Sequence, residues 1–250
     1  MSLPAQMALL LGAGVAVGFM NVLAAGGSML SVPILIFMGL DPATAQGTNR
    51  IGLLVQNVSA VRSFRAERMR EFGLSFQLGL FTLPGAIAGA VTAVKIESVL
   101  FERILAVIMI AVVVTMLLPK RKTPEEGAAS LPPRLWASRL AMIGIGFYGG
   151  FIQMGIGILL MAALSELMRM DLARVNMHKI SIVLVYTIPV LLVFQFGDSV
   201  RWTLGLSLAA GTAVGGWWGA KVTVRKGQRA VNYALAVVVA LMALRMLDVL

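Results

Sequence analysis

The stretch "NVLAAGGSMLSVPIL", which runs from Asn21 to Leu35, lies inside an apolar segment that carries almost no charge. Its two adjacent glycines and its serine weaken a helix at the middle of what otherwise reads as a membrane span. Backbone that is not helical is tolerated at membrane depth only where it packs inside the protein or lines a polar cavity. The stretch therefore predicts a broken helix at 5–38, a segment that is also too long for one upright span.

The composition is that of an integral membrane protein. Of the 250 residues, 59% are hydrophobic and 13% are charged, whereas a soluble domain carries roughly 25% charged residues. The 21 Lys and Arg residues outnumber the 11 acidic residues, but they fall in short loops between apolar runs. This distribution follows the positive-inside rule of membrane proteins. We therefore expect a lipid bilayer, and not nucleic acid, as the partner.

Residues that hold metals and cofactors are scarce. The chain has no Cys and one His, which excludes disulfides, thiolate metal sites and histidine-cluster metal sites. We therefore expect no metal and no cofactor. The first residues, "MSLPAQMALLLGAG", lack the basic region and the cleavage site of a signal peptide and are interpreted as the start of a span.

The chain divides into two halves of similar organisation. A second overlong apolar segment, 137–168, is also interrupted by glycine, and a polar linker rich in proline and charge lies at 119–136. Six further apolar runs have the length of single spans. They are placed at 43–61, 73–93, 100–118, 175–196, 201–220 and 229–248. We predict a first repeat at 1–118 and a second at 137–250, each made of one broken helix and three spans.

A weak internal repeat supports this division. "GFMNVLAAGGSML" in the first half resembles "GFIQMGIGILL" in the second. Asn21 then aligns with Gln153, and Gly27 aligns with Gly157. Glycine lies at the break in both copies, so both broken segments are predicted to bend at equivalent places.

The basic residues indicate how the two halves are oriented. If each broken segment crossed the membrane once, the halves would be parallel and basic clusters would lie on both sides. If each is a hairpin that enters and leaves on one side, the halves are inverted and all four basic clusters face the cytoplasm. We prefer the inverted arrangement, while the parallel one stays open. The predicted fold is an all-α polytopic membrane protein with two inverted repeats, each a re-entrant helix hairpin plus three transmembrane helices.

The tips of the two hairpins are predicted to bind an anion. A helix that starts inside the membrane leaves backbone N–H groups without partners, and its dipole favours negative charge there. The alternative is that the glycines only allow close helix crossing. The residues predicted to contribute at the two tips are Asn21, Gly26, Gly27, Ser28, Gln153, Gly155 and Gly157.

Two basic residues near the tips strengthen this prediction. "AQGTNRIGLLVQN" places Arg50 in an unusually polar span, and "NMHKIS" places Lys179 at the equivalent point of the second half. A pair of cations beside two helix starts suits a divalent oxyanion. The alternative is that each cation only anchors a span end at the membrane interface. Neighbouring polar residues predicted to take part are Thr48, Asn49, His178 and Tyr186.

The stretch "AAGGSMLSVPILIFMGLDPATAQGTN", followed by a basic loop and a weaker second copy, resembles the sulfite exporter TauE/SafE family, also called TSUP. The resemblance spans nearly the whole chain. It departs from the family pattern at Asn49, where a serine is usual, and in the second copy, "QMGIGILL". The resemblance implies a multi-pass carrier in the bacterial inner (cytoplasmic) membrane. It also implies substrates such as sulfite, sulfoacetate and related organosulfonates, or thiosulfate.

We therefore predict a secondary transporter, not an enzyme, that exports a small sulfur-containing oxyanion by alternating access. One hairpin with its spans would rock against the other around a midplane site. The alternatives are a passive anion channel, an importer of thiosulfate or sulfate, and a membrane enzyme, for which His178 with Ser181 is the candidate pair. A homodimer is a further open alternative, and the coupling ion is undetermined.

Overall fold

The computed structural model describes residues 2–24, 28–69, 71–117, 135–168, 170 and 172–225. Every regular element in these ranges is an α-helix. They are α1 (Leu3–Ala24), α2 (Ser28–Phe37), α3 (Pro42–Ala66), α4 (Phe72–Lys95), α5 (Ser98–Leu117), α6 (Leu135–Phe151), α7 (Ile156–Met168), α8 (Leu172–Phe196) and α9 (Trp202–Arg225). The predicted span 229–248 and nearly all of the predicted linker 119–136 lie outside the described residues.

Each overlong apolar segment contains two helices. The segment 5–38 holds α1 and α2, and the segment 137–168 holds α6 and α7. At the second break, Gln153 and Gly155 have left-handed backbone, with φ of 65° and 72°. Such a conformation ends a helix and turns the chain. The Tyr148 hydroxyl fixes this turn by donating to the carbonyl oxygen of Met154 at 2.5 Å.

Four described helices are long and apolar enough to cross a membrane. They are Leu3–Val22, Phe72–Lys95, Ser98–Thr115 and Ala173–Phe196. The all-α polytopic membrane fold is thereby confirmed. Helix α3 is different, because its polar side chains are buried inside the protein. A helix of this polarity is stable at membrane depth only when other helices surround it, and α8 and α9 both pack against it.

Contacts between helix ends show the directions in which the helices run. The Thr48 hydroxyl accepts from the Arg201 backbone N–H at 2.9 Å, near the starts of α3 and α9. The Ser63 hydroxyl donates to the Trp217 carbonyl at 3.3 Å, near the ends of the same helices. Helices α3 and α9 therefore run in the same direction.

Helix α8 runs in the opposite direction to α3. Arg174, near the start of α8, forms an ion pair with Glu71, which directly precedes α4 and follows the end of α3. Helices α3 and α8 are the first helices after the two broken segments, and they are antiparallel. This relation supports the inverted arrangement of the two halves, which stays a prediction.

The first helix of each broken segment packs on a helix of the other half. On α1, Gly14 and Gly18 lie against the backbone of α9, and on α6, Gly146 and Gly150 lie against the backbone of α4. At these four positions a Cβ would meet backbone atoms of the neighbouring helix. The closest packing thus forms two groups of helices, α1–α3–α9 and α4–α6–α8, which meet mainly where α3 contacts α8.

Candidate functional site

A small cavity lies where α3 and α8 meet the end of α1 and the start of α7. Its free volume is about 20 Å³, which is room for about one or two water molecules. A sulfonate does not fit in this space in the described conformation. The lining residues are Asn21, Leu53, Asn57, Gln153, Ile156, Gly157, Lys179, Ile180 and Val183.

The cavity wall is mostly apolar, and its polar groups include hydrogen-bond donors. Helix α7 begins at Ile156, and Ile156 and Gly157 of its first turn line the wall. The Ile156 N–H already donates to the Gln153 carbonyl at 3.3 Å, so Gly157 supplies the lining N–H that faces a ligand. Lys179 contributes an ammonium group. The amide of Asn57 is buried, and its Nδ2 atom has no hydrogen-bond partner among the described residues. No acidic side chain of the described ranges lines the cavity. A site with donors, one cation and a helix start is suited to an anion.

Arg50 is fully buried and holds the end of α6. Its Nη1 atom donates to Gln153 Oε1 at 2.6 Å, and its Nη2 atom donates to the carbonyl oxygens of Gly149 and Gly150 at 3.0 and 2.5 Å. Its guanidinium carbon also lies 4.9 Å from the centre of the Phe194 ring. The last carbonyls of a helix have no partners within the helix and carry partial negative charge. Arg50 thus neutralises a buried helix end, and its side chain does not reach the protein surface.

Lys179 does the same for α1. Its Nζ atom donates to the carbonyl oxygens of Val22 and Asn21 at 3.2 and 3.5 Å, and to Asn176 Oδ1 at 2.8 Å. Lys179 is 2% exposed. The cation from each half therefore holds the broken helix of the other half. Sequence reasoning placed both cations beside helix starts, and the structure adds that both bind the preceding helix ends.

Gln153 connects Arg50 to the cavity. It lies at the second break and lines the cavity, while its Oε1 atom accepts from Arg50 and, at 3.5 Å, from the Tyr186 hydroxyl. Tyr186 is fully buried. The four predicted residues that line the cavity are Asn21, Gln153, Gly157 and Lys179, and Arg50 and Tyr186 lie directly behind them.

Other predicted residues surround the breaks without lining the cavity. Asn49 Oδ1 accepts from the Ser31 hydroxyl at 2.6 Å, which joins α3 to α2. The Ser28 carbonyl accepts from the same hydroxyl at 3.5 Å. Thr48 binds the backbone at the start of α9, and Gly155 lies at the turn, against Val112 and Met29. Gly26 and Gly27 fall outside the described residues.

His178 faces α4 and not the cavity. Its Nδ1 atom lies 2.7 Å from Ser75 Oγ, and its Nε2 atom lies 3.7 Å from Glu71 Oε2. Its predicted contact with substrate therefore has no support from its position. Ser181, the other member of the candidate enzyme pair, donates to the Met177 carbonyl within its own helix at 2.9 Å.

The cavity residue Asn57 belongs to the polar span around Arg50, but the site predicted from the sequence did not include it. It lies seven positions after Arg50 on α3, with Leu53 between them. Residues spaced by three, four and seven positions share one face of a helix. The helical period applied from Arg50 would have found this face. Gln56, which accepts from Asn21 Nδ2 at 3.2 Å, was also left out.

The chain is similar over most of its length to known membrane proteins. A family model described as "Sulfite exporter TauE/SafE" matches residues 10–246. The chain is 28% identical over 235 residues to "Probable membrane transporter protein YfcA" of Escherichia coli (strain K12), which covers 92% of this chain and 85% of that protein. It is 23% identical over 240 residues to "Probable membrane transporter protein" of Haemophilus influenzae, and this match covers 96% of this chain and 94% of that protein. It is 24% identical over 239 residues to "Probable membrane transporter protein YjnA" of Bacillus subtilis (strain 168), and this match covers 89% of this chain and 92% of that protein.

No solved structure is significantly similar to the chain. The family model nevertheless covers most of the sequence. The relatives are named as probable membrane transporters, and this chain has helices long and apolar enough to cross a membrane. The chain therefore belongs to the sulfite exporter TauE/SafE family of membrane transporters.

Proposed function

We propose that the protein is a secondary transporter that exports a small sulfur-containing oxyanion, such as sulfite or sulfoacetate, across the cytoplasmic membrane by alternating access. The observation that carries this proposal is the cavity at the start of α7, which is lined by Lys179 and by the amide of Asn57. The family description supports sulfite and related anions as the substrate class. The relatives' names specify a membrane transporter without a substrate.

The buried charges favour a dianion. Arg50 and Lys179 are both buried, and a cation at membrane depth is costly by about 2.5–3.5 kcal/mol on insertion scales. Backbone carbonyls carry only partial charges and compensate part of this cost. An anion with two negative charges would neutralise both cations. We therefore expect sulfoacetate and fully ionised sulfite to bind better than singly charged sulfonates of the same size.

The two packed groups of helices are the proposed moving bodies. The group α1–α3–α9 and the group α4–α6–α8 meet at the cavity, between α3 and α8. The simpler expectation, in which one hairpin moves with the spans of its own half, fits the packing less well, because α1 packs on α9 and α6 packs on α4. Rocking of these two groups would open the cavity to one side of the membrane at a time.

The side that holds the basic residues is the proposed cytoplasmic side. The ends of α3 and α9 and the starts of α4 and α8 lie together, as the ion pair and the Ser63 hydrogen bond indicate. These ends carry Arg62, Arg65, Arg174 and Lys221. By the positive-inside rule this side faces the cytoplasm. A site between hairpins from opposite faces is the design expected of an alternating-access carrier.

Transport by purified protein in liposomes tests this function. Wild type should take up labelled sulfite and sulfoacetate, saturate, and show counterflow, with slower uptake of sulfate and thiosulfate. Asn57→Asp keeps the size of the side chain but places a negative charge in the cavity, and it should lower transport efficiency by about 10–100-fold. Asn57→Ala should have a smaller effect, because it removes a donor without adding repulsion.

A matched control is Thr187→Val, which removes a buried hydroxyl that donates to its own helix at 2.6 Å and does not line the cavity. Its transport should equal that of wild type. Linear flux without saturation or counterflow would indicate a passive channel instead. Equal transport by Asn57→Asp and wild type would remove the cavity from the mechanism. The homodimer, which the sequence left as an open alternative, can be checked in the same preparations by their molecular mass.

A further inference from the structure

His178 lies beside the proposed anion site but on the opposite side of α8 from the cavity. It is fully buried and is the only histidine in the sequence. Its two ring nitrogens lie 2.7 Å from the Ser75 hydroxyl and 3.7 Å from the Glu71 carboxylate. Histidine is the side chain whose charge ordinarily changes near neutral pH. The next residue, Lys179, lines the cavity.

We infer that His178 is a proton-binding site and that one proton travels with each anion. This inference rests on the proposed transport function and names its coupling ion. It assigns His178 a role in coupling and not in contact with the anion.

The charged groups around His178 come from several helices. Glu71, at the start of α4, faces the imidazole directly. On α8 itself, Arg174 lies one turn earlier and is paired with Glu71, and Lys179 follows immediately.

Helices α3 and α7 also pack against α8. At this end of α3, the guanidinium carbon of Arg65 lies 4.9 Å from the centre of the Phe72 ring. Helix α7 carries Glu166 near its end. Of these groups, Glu71 is the one whose carboxylate reaches the imidazole.

Glu71 connects His178 to water. The Glu71 and Arg174 side chains are 47% and 50% exposed, so the carboxylate is open to solvent on the basic side of the protein. When the neutral imidazole carries its proton on Nδ1 and donates it to Ser75, the lone pair of Nε2 faces Glu71. A proton that the carboxylate takes from water then passes to Nε2. The proton comes from a hydronium ion, and the products are an imidazolium, a regenerated carboxylate and a water molecule.

The proton and the anion favour each other's binding. A positive charge on His178, next to Lys179 in the chain, attracts an anion in the cavity. By thermodynamic linkage, a bound anion must favour the protonated imidazole equally. The wild-type carrier therefore crosses preferentially with both sites filled or both empty, and a dianion crosses together with one proton.

The test uses full-length protein, purified with a tag that contains no histidine, in liposomes that hold a pH-sensitive dye. Valinomycin and equal K⁺ on both sides hold the membrane potential at zero. Sulfoacetate is the test anion, because it stays dianionic near neutral pH whereas sulfite changes its charge there. With labelled sulfoacetate in excess inside wild-type vesicles, anion efflux should make the lumen alkaline, because a proton leaves with each anion.

His178→Gln should keep exchange of sulfoacetate at equal concentrations within about threefold of wild type but lose the alkalinisation. Glu71→Gln should slow the alkalinisation while keeping one proton per anion. Thr187→Val is the control, because it removes a polar group from the same helix as His178. It should behave as wild type in both measurements.

Three results would overturn the inference in distinguishable ways. Anion efflux without a pH change in wild type would exclude proton coupling while leaving the proposed transport intact. Alkalinisation by His178→Gln equal to wild type would exclude this histidine as the proton site. Absence of any sulfoacetate or sulfite exchange in wild type would overturn the proposed function and the coupling with it. The NMR signal of the single imidazole gives an independent check, since a signal unchanged between about pH 5 and 9 would exclude proton binding there.

Discussion

Arg50 and Lys179 show how single residues hold an interrupted helix together inside a membrane. Each cation binds two backbone carbonyls at a helix end that belongs to the other half. Carbonyls in that position have no other partner within their helix. Removal of the cation therefore leaves them unsatisfied where water is scarce.

We predict that Arg50→Gln lowers the free energy of unfolding by about 2–4 kcal/mol, because the buried carbonyls lose a charged donor. Arg62→Gln is the control, since Arg62 is an exposed arginine on the same helix. Thermal unfolding in detergent, followed by circular dichroism, measures both variants. The same unfolding midpoint for the two variants would show that the Arg50 contacts contribute nothing to stability.

The sequence indicated that these two residues are important, but it did not indicate which groups they contact. A buried arginine in a polar span indicates a special role, because an arginine without partners is costly there. Its partners, the carbonyls of Gly149 and Gly150, lie about a hundred positions away, and local patterns carry no information about such pairs. The direction of His178 was missed for the same reason, since it depends on the rotation of α8 against α4.

At the scale of helices, glycine sets how closely the two halves pack. Gly14 on α1 and Gly146 on α6 lie against neighbouring backbone, whereas Gly12 and Gly144 on the same helices have nothing within 4 Å of an added Cβ. From the sequence, glycine could either interrupt a helix or allow two helices to cross closely. The structure shows that both occur, at different positions.

These four glycines form two matched pairs for a test. Gly14→Ala and Gly146→Ala should lower the unfolding midpoint, because the new methyl group meets backbone that cannot move away. Gly12→Ala and Gly144→Ala should be neutral or stabilising by up to about 1 kcal/mol, because alanine favours helix. Thermal unfolding of the four variants gives the comparison. Loss of stability in Gly12→Ala as large as in Gly14→Ala would contradict the close-packing account.

At the scale of the whole molecule, the sequence predicted the helical membrane fold because apolar length and glycine breaks are local signals. It did not predict which helices pack together. The two groups, α1–α3–α9 and α4–α6–α8, each combine helices from both halves. This mixed packing depends on close contacts between segments that are distant in the sequence.

Cross-links can test whether these groups move as units, because the chain has no native Cys. A disulfide between Cys at 53 and 183, replacing Leu53 and Val183 at the cavity, should stop transport by joining the two groups. A disulfide between Cys at 59 and 213 lies within one group, since Ser59 donates to the Ala213 carbonyl at 2.8 Å, and transport should continue. Sulfite flux before oxidation, after oxidation and after reduction measures both. Continued flux through the oxidised 53–183 pair would reject these groups as the moving bodies.

Each half supplies the cation that binds the broken helix of the other half. This arrangement constrains the order in which the protein folds during synthesis. Lys179 is separated by 157 residues from the Val22 carbonyl that it binds. During synthesis, α1 therefore enters the membrane long before its partner has left the ribosome. Until then its last carbonyls need water, lipid headgroups or the insertion machinery as temporary partners. The first half cannot complete its own hairpin alone, so the mature arrangement forms only after α8 has been inserted.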